Sequence, residues 1–328
     1  MVESYCQMKA IGGYFELADR EEKNSIPIDG VLLNTARNAL EYILQTLSDI
    51  KKVYLPYYTC EAVIEPLKRL NFSFQFYHIN QNFEIAETII LNEGDYLIAN
   101  NYFGLKDTYI EKLSHQFGNK LIVDNAQALF APTKPDIKAC FSTRKFVGVA
   151  DGGIATGIVG NNISNLPYEP TETHNSHLYI RKELGAEAGF SHYQCNECKL
   201  DNQPIRRMSL STYDILNHID YNQIIKRRRR NYRYLQNALG SSNQLPLPDL
   251  ESFCCPMVYP YLNPEKKDLR NALISNRIYV ARYWPNVLEW TKDDSLEYYL
   301  AKNLLPLPID QRYEEEDMQQ IIEIILGI

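Results

Sequence analysis

Phe141-Ser142-Thr143-Arg144-Lys145-Phe146-Val147-Gly148-Val149-Ala150-Asp151-Gly152-Gly153 is the stretch whose reading decides the fold. The apolar residues Ala139, Cys140 and Phe141 read as the end of a buried strand. Lys145 follows at once, flanked by Phe146 and Val147. Gly152-Gly153 then permits a tight turn into a second apolar run, Ile154–Val159. A lysine at the mouth of a strand among apolar neighbours is a candidate Schiff-base former. Desolvation disfavours its ammonium and enlarges the neutral fraction that attacks carbonyls. Most lysines after a strand are solvated surface residues, so the meaning of Lys145 depends on its partners elsewhere.

Working outward, strands and helices alternate. Asn34-Thr35 reads as a helix N-cap, followed by the helical stripe Ala36, Ala39, Leu40, Ile43, Leu44 and Leu47. Val53–Pro56, Phe72–Ile79, Tyr96–Asn100 and Lys120–Asp124 read as strands, with helices at Glu61–Leu70 and Thr108–Phe117. This alternation predicts an α/β domain with a mainly parallel sheet. Past Val159 the pattern loosens: His174–Phe190 reads as partly helical, Cys195–Pro204 as polar and irregular, and Leu210–Leu239 as one long helix. Gly240–Pro248, rich in Ser, Asn and Pro, reads as a boundary. The expected organisation is therefore a large domain over 1–239, with an N-terminal arm at 1–30, and a small α+β domain over 240–328. In the latter, Met257–Leu262 and Ile278–Ala281 read as strands, Pro264–Ser275 and Glu314–Leu326 as helices. The aromatic segment Ile11–Leu17 is expected to pack onto the body.

Composition sets the outer limits. The chain has 328 residues, 45% hydrophobic and 23% charged, with a net charge of −7. That balance is ordinary for a soluble globular protein and argues against broad nucleic-acid binding. No apolar run approaches the ~20 residues of a membrane span. The first ten residues lack signal-peptide character. Seven unpatterned cysteines read as reduced thiols in a cytoplasm. Cys195-x-x-Cys198, without a second well-spaced pair, does not specify zinc, so no metal is expected. His174 and His177 read as polar loop residues. Lys226–Arg230 reads as a solvated face or an interface salt-bridge set, and Arg277 and Arg282 as candidates for a donor carboxylate or as surface charges.

Three features of the first domain converge on one chemistry. Asp124 ends the strand Leu121-Ile122-Val123, and ligands of open α/β sheets sit at the carboxyl ends of strands. Lys145 also follows a strand. The helix start Asn34-Thr35-Ala36-Arg37 offers free backbone N–H groups, a positive dipole end and a guanidinium, which suit a phosphate. A phosphate cradle, a lysine for an aldehyde and a carboxylate for a ring nitrogen are what pyridoxal phosphate requires.

On these residues the chain resembles the DegT/StrS-type sugar aminotransferases, enzymes with the fold-type-I architecture of pyridoxal phosphate enzymes. The resemblance runs over nearly the whole chain. Val123-Asp124-Asn125-Ala126-Gln127-Ala128 is similar to the family's acidic-Ala-Gln strand end, which implies Asp124 at the pyridine nitrogen and Gln127 near the ring hydroxyl. Phe141-Ser142 through Lys145 to Gly152-Gly153 is similar to the Schiff-base segment, with Ser142 helping to hold the phosphate. Arg207-Met208-Ser209 is similar to the Arg-Met element, and Leu305-Pro306-Leu307-Pro308 to the C-terminal end.

Departures are visible too. Thr35-Ala36-Arg37 stands where Ser-Gly-Thr is common, and Arg37 brings a charge in place of hydroxyls. Cys60 stands where an aromatic usually stacks on the ring, leaving Tyr58, Tyr102 or Phe103 to supply that face. Ile205 stands where asparagine is frequent, with Arg206 or Arg207 as substitutes.

The resulting expectation is a transaminase in which Lys145 holds the cofactor and then moves protons. The resemblance implies glutamate or glutamine as amino donor and a nucleotide-linked keto-sugar as acceptor. It also implies a homodimer in which Arg206 or Arg207 reaches the partner's phosphate. The competing readings are a non-catalytic binding or assembly module on the same fold, and a sugar dehydratase-like reaction. Lys145 argues against the latter, because the dehydrating relatives carry histidine there.

Overall fold

The computed structural model describes residues 9–327, apart from 159–162, 171–174, 248, 252, 264, 266 and 267. His174 lies outside the described residues. After β1 (Ile11–Gly12), β2 (Val31–Leu33) leads into α1 (Ala36–Gln45). Thr35 caps α1 by accepting the Asn38 amide on its side-chain oxygen. Ala39, Leu40, Ile43 and Leu44 share one face of α1, and all are buried. Burying one Leu or Ile side chain contributes roughly 1.5–3 kcal/mol, so this stripe is what docks α1 on the sheet.

The next elements are β3 (Lys52–Pro56), α2 (Ile64–Arg69), β4 (Phe74–Tyr77), β5 (Asp95–Asn100), α3 (Asp107–Phe117), β6 (Leu121–Asn125), β7 (Lys138–Ser142) and β8 (Gly153–Thr156). They and β2 form a seven-stranded sheet in the order β2-β8-β7-β6-β5-β3-β4. Only β8 runs against its neighbours; the others are mutually parallel. An antiparallel β7–β8 pair needs no crossover helix, so residues 143–152 can join the two strands as a loop. Leu97, Ile98, Leu121 and Ile122 are fully buried, as expected of central strands covered on both faces.

The glycine pair has a steric cause. A Cβ on Gly153 would stand 2.1 Å from the Thr35 carbonyl oxygen. One on Gly152, where φ is +123°, would stand 2.2 Å from Thr143 Oγ1. The Gly152 amide donates to the Asn34 carbonyl at 2.6 Å. β8 therefore begins pressed against the start of α1, at a separation only glycine permits.

The chain continues through α4 (Ser176–Leu184), α5 (Phe190–Leu200), α6 (Leu210–Leu216) and α7 (Tyr221–Leu239). Two sequence expectations change here. Cys195–Pro204, read as irregular, is helical as far as Leu200. Leu210–Leu239, read as one helix, is two. Asp220 stops the run by turning its carboxylate to the Gln223 amide at 2.9 Å, which makes it the cap of a new helix.

The C-terminal unit comprises β9 (Val258–Tyr261), α8 (Leu269–Ser275), β10 (Ile278–Tyr279), α9 (Val287–Trp290), α10 (Leu296–Asn303), β11 (Leu305–Pro308) and α11 (Glu315–Leu326). β11 pairs antiparallel with β9 in a two-stranded sheet, where proline is tolerated because each strand has a free edge. The arm meets both parts of the chain: β1 lies parallel to β10, with Ile11 opposite Ile278, and further on the Leu17, Ala18 and Glu21 amides donate to the Leu178, Gly148 and His218 carbonyls. Its aromatics do pack on the body, Tyr14 stacking on Tyr193 at 4.8 Å and Phe15 lying under Arg312 at 4.2 Å. The basic run of α7 is not a solvated face. Arg227 ion-pairs with Glu314, Arg230 with Glu315 at 2.7 Å, and Arg228 is buried.

Gly153→Ala should lower the unfolding free energy by roughly 1–3 kcal/mol or more, the range for forcing atoms into a packed interior. Urea denaturation of the variant against the unaltered protein checks this. An unchanged midpoint would contradict the close approach of β8 to α1.

Candidate active site

The parallel strands all end on one edge of the sheet, so their following loops converge. This brings Thr35 (after β2), Cys60 (after β3), Asp124 (in β6), Gln127 (after β6), Ser142 (in β7) and Lys145 (after β7) to that edge. Asp124 is half-buried. Its Oδ1 accepts the Ala126 amide at 2.8 Å, and Oδ2 accepts no hydrogen bond among the described residues. Burial pushes its carboxyl above the usual range, and the charge of Lys145 pulls it part of the way back. Burial likewise raises the Cys60 thiol, against the lowering influence of Lys145.

Gln127 accepts the Phe103 amide on Oε1 at 2.9 Å. Its Nε2 is buried with no partner. A buried amide donor left unpaired is costly, and it invites an acceptor from a ligand. The amides of Thr35, Ala36 and Arg37 donate to nothing among the described residues, as first-turn amides of a helix do until an anion arrives. An unfilled carboxylate oxygen, an orphaned amide donor and an open helix start fit the ring nitrogen, ring hydroxyl and phosphate of pyridoxal phosphate. Asp151, not singled out in the sequence, anchors the loop that carries Lys145. It accepts the Ser209 amide at 2.8 Å, the Ser209 hydroxyl at 2.6 Å and the Thr212 hydroxyl.

Several expected site residues are placed elsewhere. The Arg37 guanidinium is held by Glu65 at 2.6 Å and Asp201 at 2.8 Å, so its charge is already matched and only its amide faces the helix start. Tyr58 and Tyr102 are core residues. Tyr58 meets the edge of Trp284 at 4.7 Å, and the Tyr102 hydroxyl donates to the Tyr58 carbonyl at 2.8 Å. Both are enclosed by apolar neighbours, and burial raises both phenols. Arg206 ion-pairs with buried Glu169 at 3.2 Å, and Arg207 lies on the Tyr168 ring at 3.7 Å while its Nε donates to the Leu166 carbonyl. Arg206 thus has an anion within its own chain, whereas Arg207 is held by a ring and a carbonyl. Arg277 is bound by Glu187, whose carboxyl the guanidinium holds down to about 2.

Ser142 and Lys145 open onto a cleft of about 770 Å³ between the arm, α4–α5 and the C-terminal unit. Tyr14, Arg228, Tyr279 and Tyr283 contribute to its walls. A larger cavity of about 910 Å³ lies beside Gly30, Tyr168 and Arg207 and lacks Lys145; Asp124 and Gln127 line neither cavity. Lys145 rather than size therefore selects the first. Among the described residues, no group of three His, Cys, Asp or Glu is placed to hold a metal ion, and no helix is long and apolar enough to cross a membrane.

No family model matches the chain, and no curated protein does. Solved structures do match over most of its length. Helicobacter pylori PseC, an aminotransferase involved in the biosynthesis of pseudoaminic acid, is 13% identical with a TM-score of 0.64, covering 97% of this chain and 99% of its own. A DegT DnrJ EryC1 StrS aminotransferase from Brucella abortus is 17% identical with a TM-score of 0.58, covering 90% and 85%. DesI, solved in the presence of its TDP-sugar product, is 13% identical with a TM-score of 0.62, covering 90% and 79%. The chain thus shares its fold with these aminotransferases.

The Asp124–Lys145 coupling has a pH consequence. A carboxyl raised on folding stabilises the protein below its unfolded-state pKa, and that contribution is lost as pH rises through the folded-state value. Lys145→Ala removes the opposing charge and raises Asp124 further. The cofactor-free variant should therefore lose more stability than the unaltered protein between mildly acid and neutral pH. Adding Asp124→Asn should abolish the difference, and melting temperatures across that range check both.

Proposed function

We propose that the protein is a pyridoxal phosphate-dependent aminotransferase, moving an amino group from glutamate or glutamine to a nucleotide-linked keto-sugar and working in the cytoplasm as a homodimer. The observation that carries the reading is the placement of Asp124 at the end of β6 and Lys145 just after the neighbouring β7, on the sheet edge that also carries Gln127 with its unpartnered Nε2. When bound, pyridoxal phosphate supplies an aldehyde for an amine and a ring that accepts the electron pair left by a departing proton. Lys145 would provide the amine and afterwards the base that moves a proton at the donor's α-carbon. Asp124 would keep the ring nitrogen protonated through its counter-charge. Gln127 would donate from Nε2 to the ring hydroxyl, and the amides of Ala36 and Arg37 with the positive end of α1 would take the phosphate, with Ser142 beside them. The keto-sugar acceptor is supported by PseC and by DesI with its TDP-sugar product, and by a cleft large enough for a sugar beside Lys145.

Adding pyridoxal phosphate should turn the protein yellow, and borohydride should fix the label on a peptide containing Lys145. Label on another lysine, or none, would sink the reading. Asp124→Ala should retain the cofactor in part through its phosphate. It should slow the spectral response to glutamate by about 10²–10³-fold, the scale for losing one preorganised electrostatic group. A response as fast as in the unaltered protein would show that Asp124 has no such role.

A further inference from the structure

Asp151 is 1% exposed and stands on the loop that carries Lys145. Its Oδ2 accepts the Ser209 amide at 2.8 Å, and its Oδ1 accepts the Ser209 hydroxyl at 2.6 Å and the Thr212 hydroxyl. All three donors are neutral. A carboxylate taken out of water without a cation is costly, and these bonds at the positive head of α6 offset only part of that cost. An apolar side chain in the same space would avoid it.

What the carboxylate achieves depends on where residues 206–209 lead. They run alongside β2: the Asn34 amide donates to the Arg206 carbonyl at 3.0 Å, and the Met208 amide to the Leu32 carbonyl at 3.2 Å. Asn34 Oδ1 accepts the Arg206 amide at 3.3 Å. Asn34 directly precedes the Thr35 cap of α1. The segment is therefore fastened to the start of α1 at Arg206 and to the Lys145 loop at Ser209, as a brace between the two. A direct tie also joins them, from the Gly152 amide to the Asn34 carbonyl. One backbone bond lets a loop pivot about it, and the three bonds at Asp151 remove that freedom.

We propose that Asp151 is a positioning residue that sets the separation between Lys145 and the phosphate-binding start of α1. The proposal rests on the aminotransferase reading. Pyridoxal phosphate carries its aldehyde and its phosphate on one rigid ring, so it engages both anchors only where the protein holds them at a matching separation. Condensation of the Lys145 amine with the aldehyde forms the C=N bond and releases one water, and the phosphate stays on the α1 amides. The second attachment is intramolecular, and its strength follows how firmly the two anchors are held. Asp151 acts on this through the loop, without contact with the ring or the phosphate.

The test compares two ligands by equilibrium binding to the cofactor-free protein. Pyridoxal phosphate needs both anchors. Its deoxy analogue, with a methyl group in place of the aldehyde, needs only the phosphate site. Asp151→Ala removes all three hydrogen bonds; it should weaken pyridoxal phosphate by about tenfold or more and change the analogue by no more than about twofold. Equal weakening of both ligands marks a merely structural residue and overturns the proposal, as does unchanged affinity for both. If Asp151→Ala does not fold, Thr212→Val, which removes one of the three donors, is read in the same way. A smaller loss confined to pyridoxal phosphate supports the proposal, and an equal loss or none overturns it. Borohydride labelling separates the two claims. An unlabelled Lys145 in the unaltered protein ends the aminotransferase reading and this proposal with it. A labelled Lys145 with equal losses for both ligands ends only the role of Asp151.

Discussion

The contact between β8 and the first turn of α1 is the constraint on which the site depends. With Gly153 against the Thr35 carbonyl and Gly152 bonded to Asn34, the loop 143–152 is held at both ends, by Ser142 in the sheet and by the helix start. Lys145 rides on that loop. Asp151 adds a third tether by binding Ser209 and Thr212 at the head of α6. A flexible lysine side chain thus extends from a backbone fixed on three sides. This is the condition for a nucleophile that must meet one atom of a ligand.

The electrostatics follow from that placement. Asp124 lies on a poorly solvated strand edge, where burial raises its carboxyl and the charge of Lys145 offsets part of that rise. Around them several guanidiniums are matched within the chain: Arg37 by Glu65 and Asp201, Arg206 by Glu169, Arg144 by Glu197. Arg228, on the wall of the cleft that Lys145 lines, is buried and donates to Gln311 and the Met257 carbonyl.

The arm completes that wall. Glu16 accepts from both Arg181 of α4 and Arg312 of the C-terminal unit, at 2.9 and 2.8 Å. Burial works against Glu16 ionising, but the two guanidiniums outweigh it and hold its carboxyl below the usual range. The segment Gly12–Phe15 is therefore clamped between two parts of the chain distant in sequence, with Tyr14 under the Arg181 guanidinium at 4.6 Å. A short arm with almost no secondary structure of its own becomes a fixed boundary of the cleft because its charges are shared.

The elements whose residues specify themselves were legible in the sequence. The α1 stripe and its Thr35 cap, the apolar central strands, the glycine pair and the Lys145 and Asp124 strand ends all depend on neighbours within a few positions. The break at Asp220 was missed because the same residue can lie within a helix or cap one, and local pattern does not choose. The buried face of α7 was readable in principle: Tyr221, Ile224, Arg228, Tyr232, Leu235 and Leu239 recur at helical spacing, so Arg228 falls on the apolar stripe despite its charge. Which aromatic lies near the site, which guanidinium is matched and where the arm pairs were decided only by tertiary structure. Those outcomes turn on contacts between residues scores or hundreds of positions apart, such as Arg37 with Asp201, Tyr58 with Trp284 and Ile11 with Ile278. A local pattern records the period of a strand or helix, but not the partner that the folded chain will bring to its face.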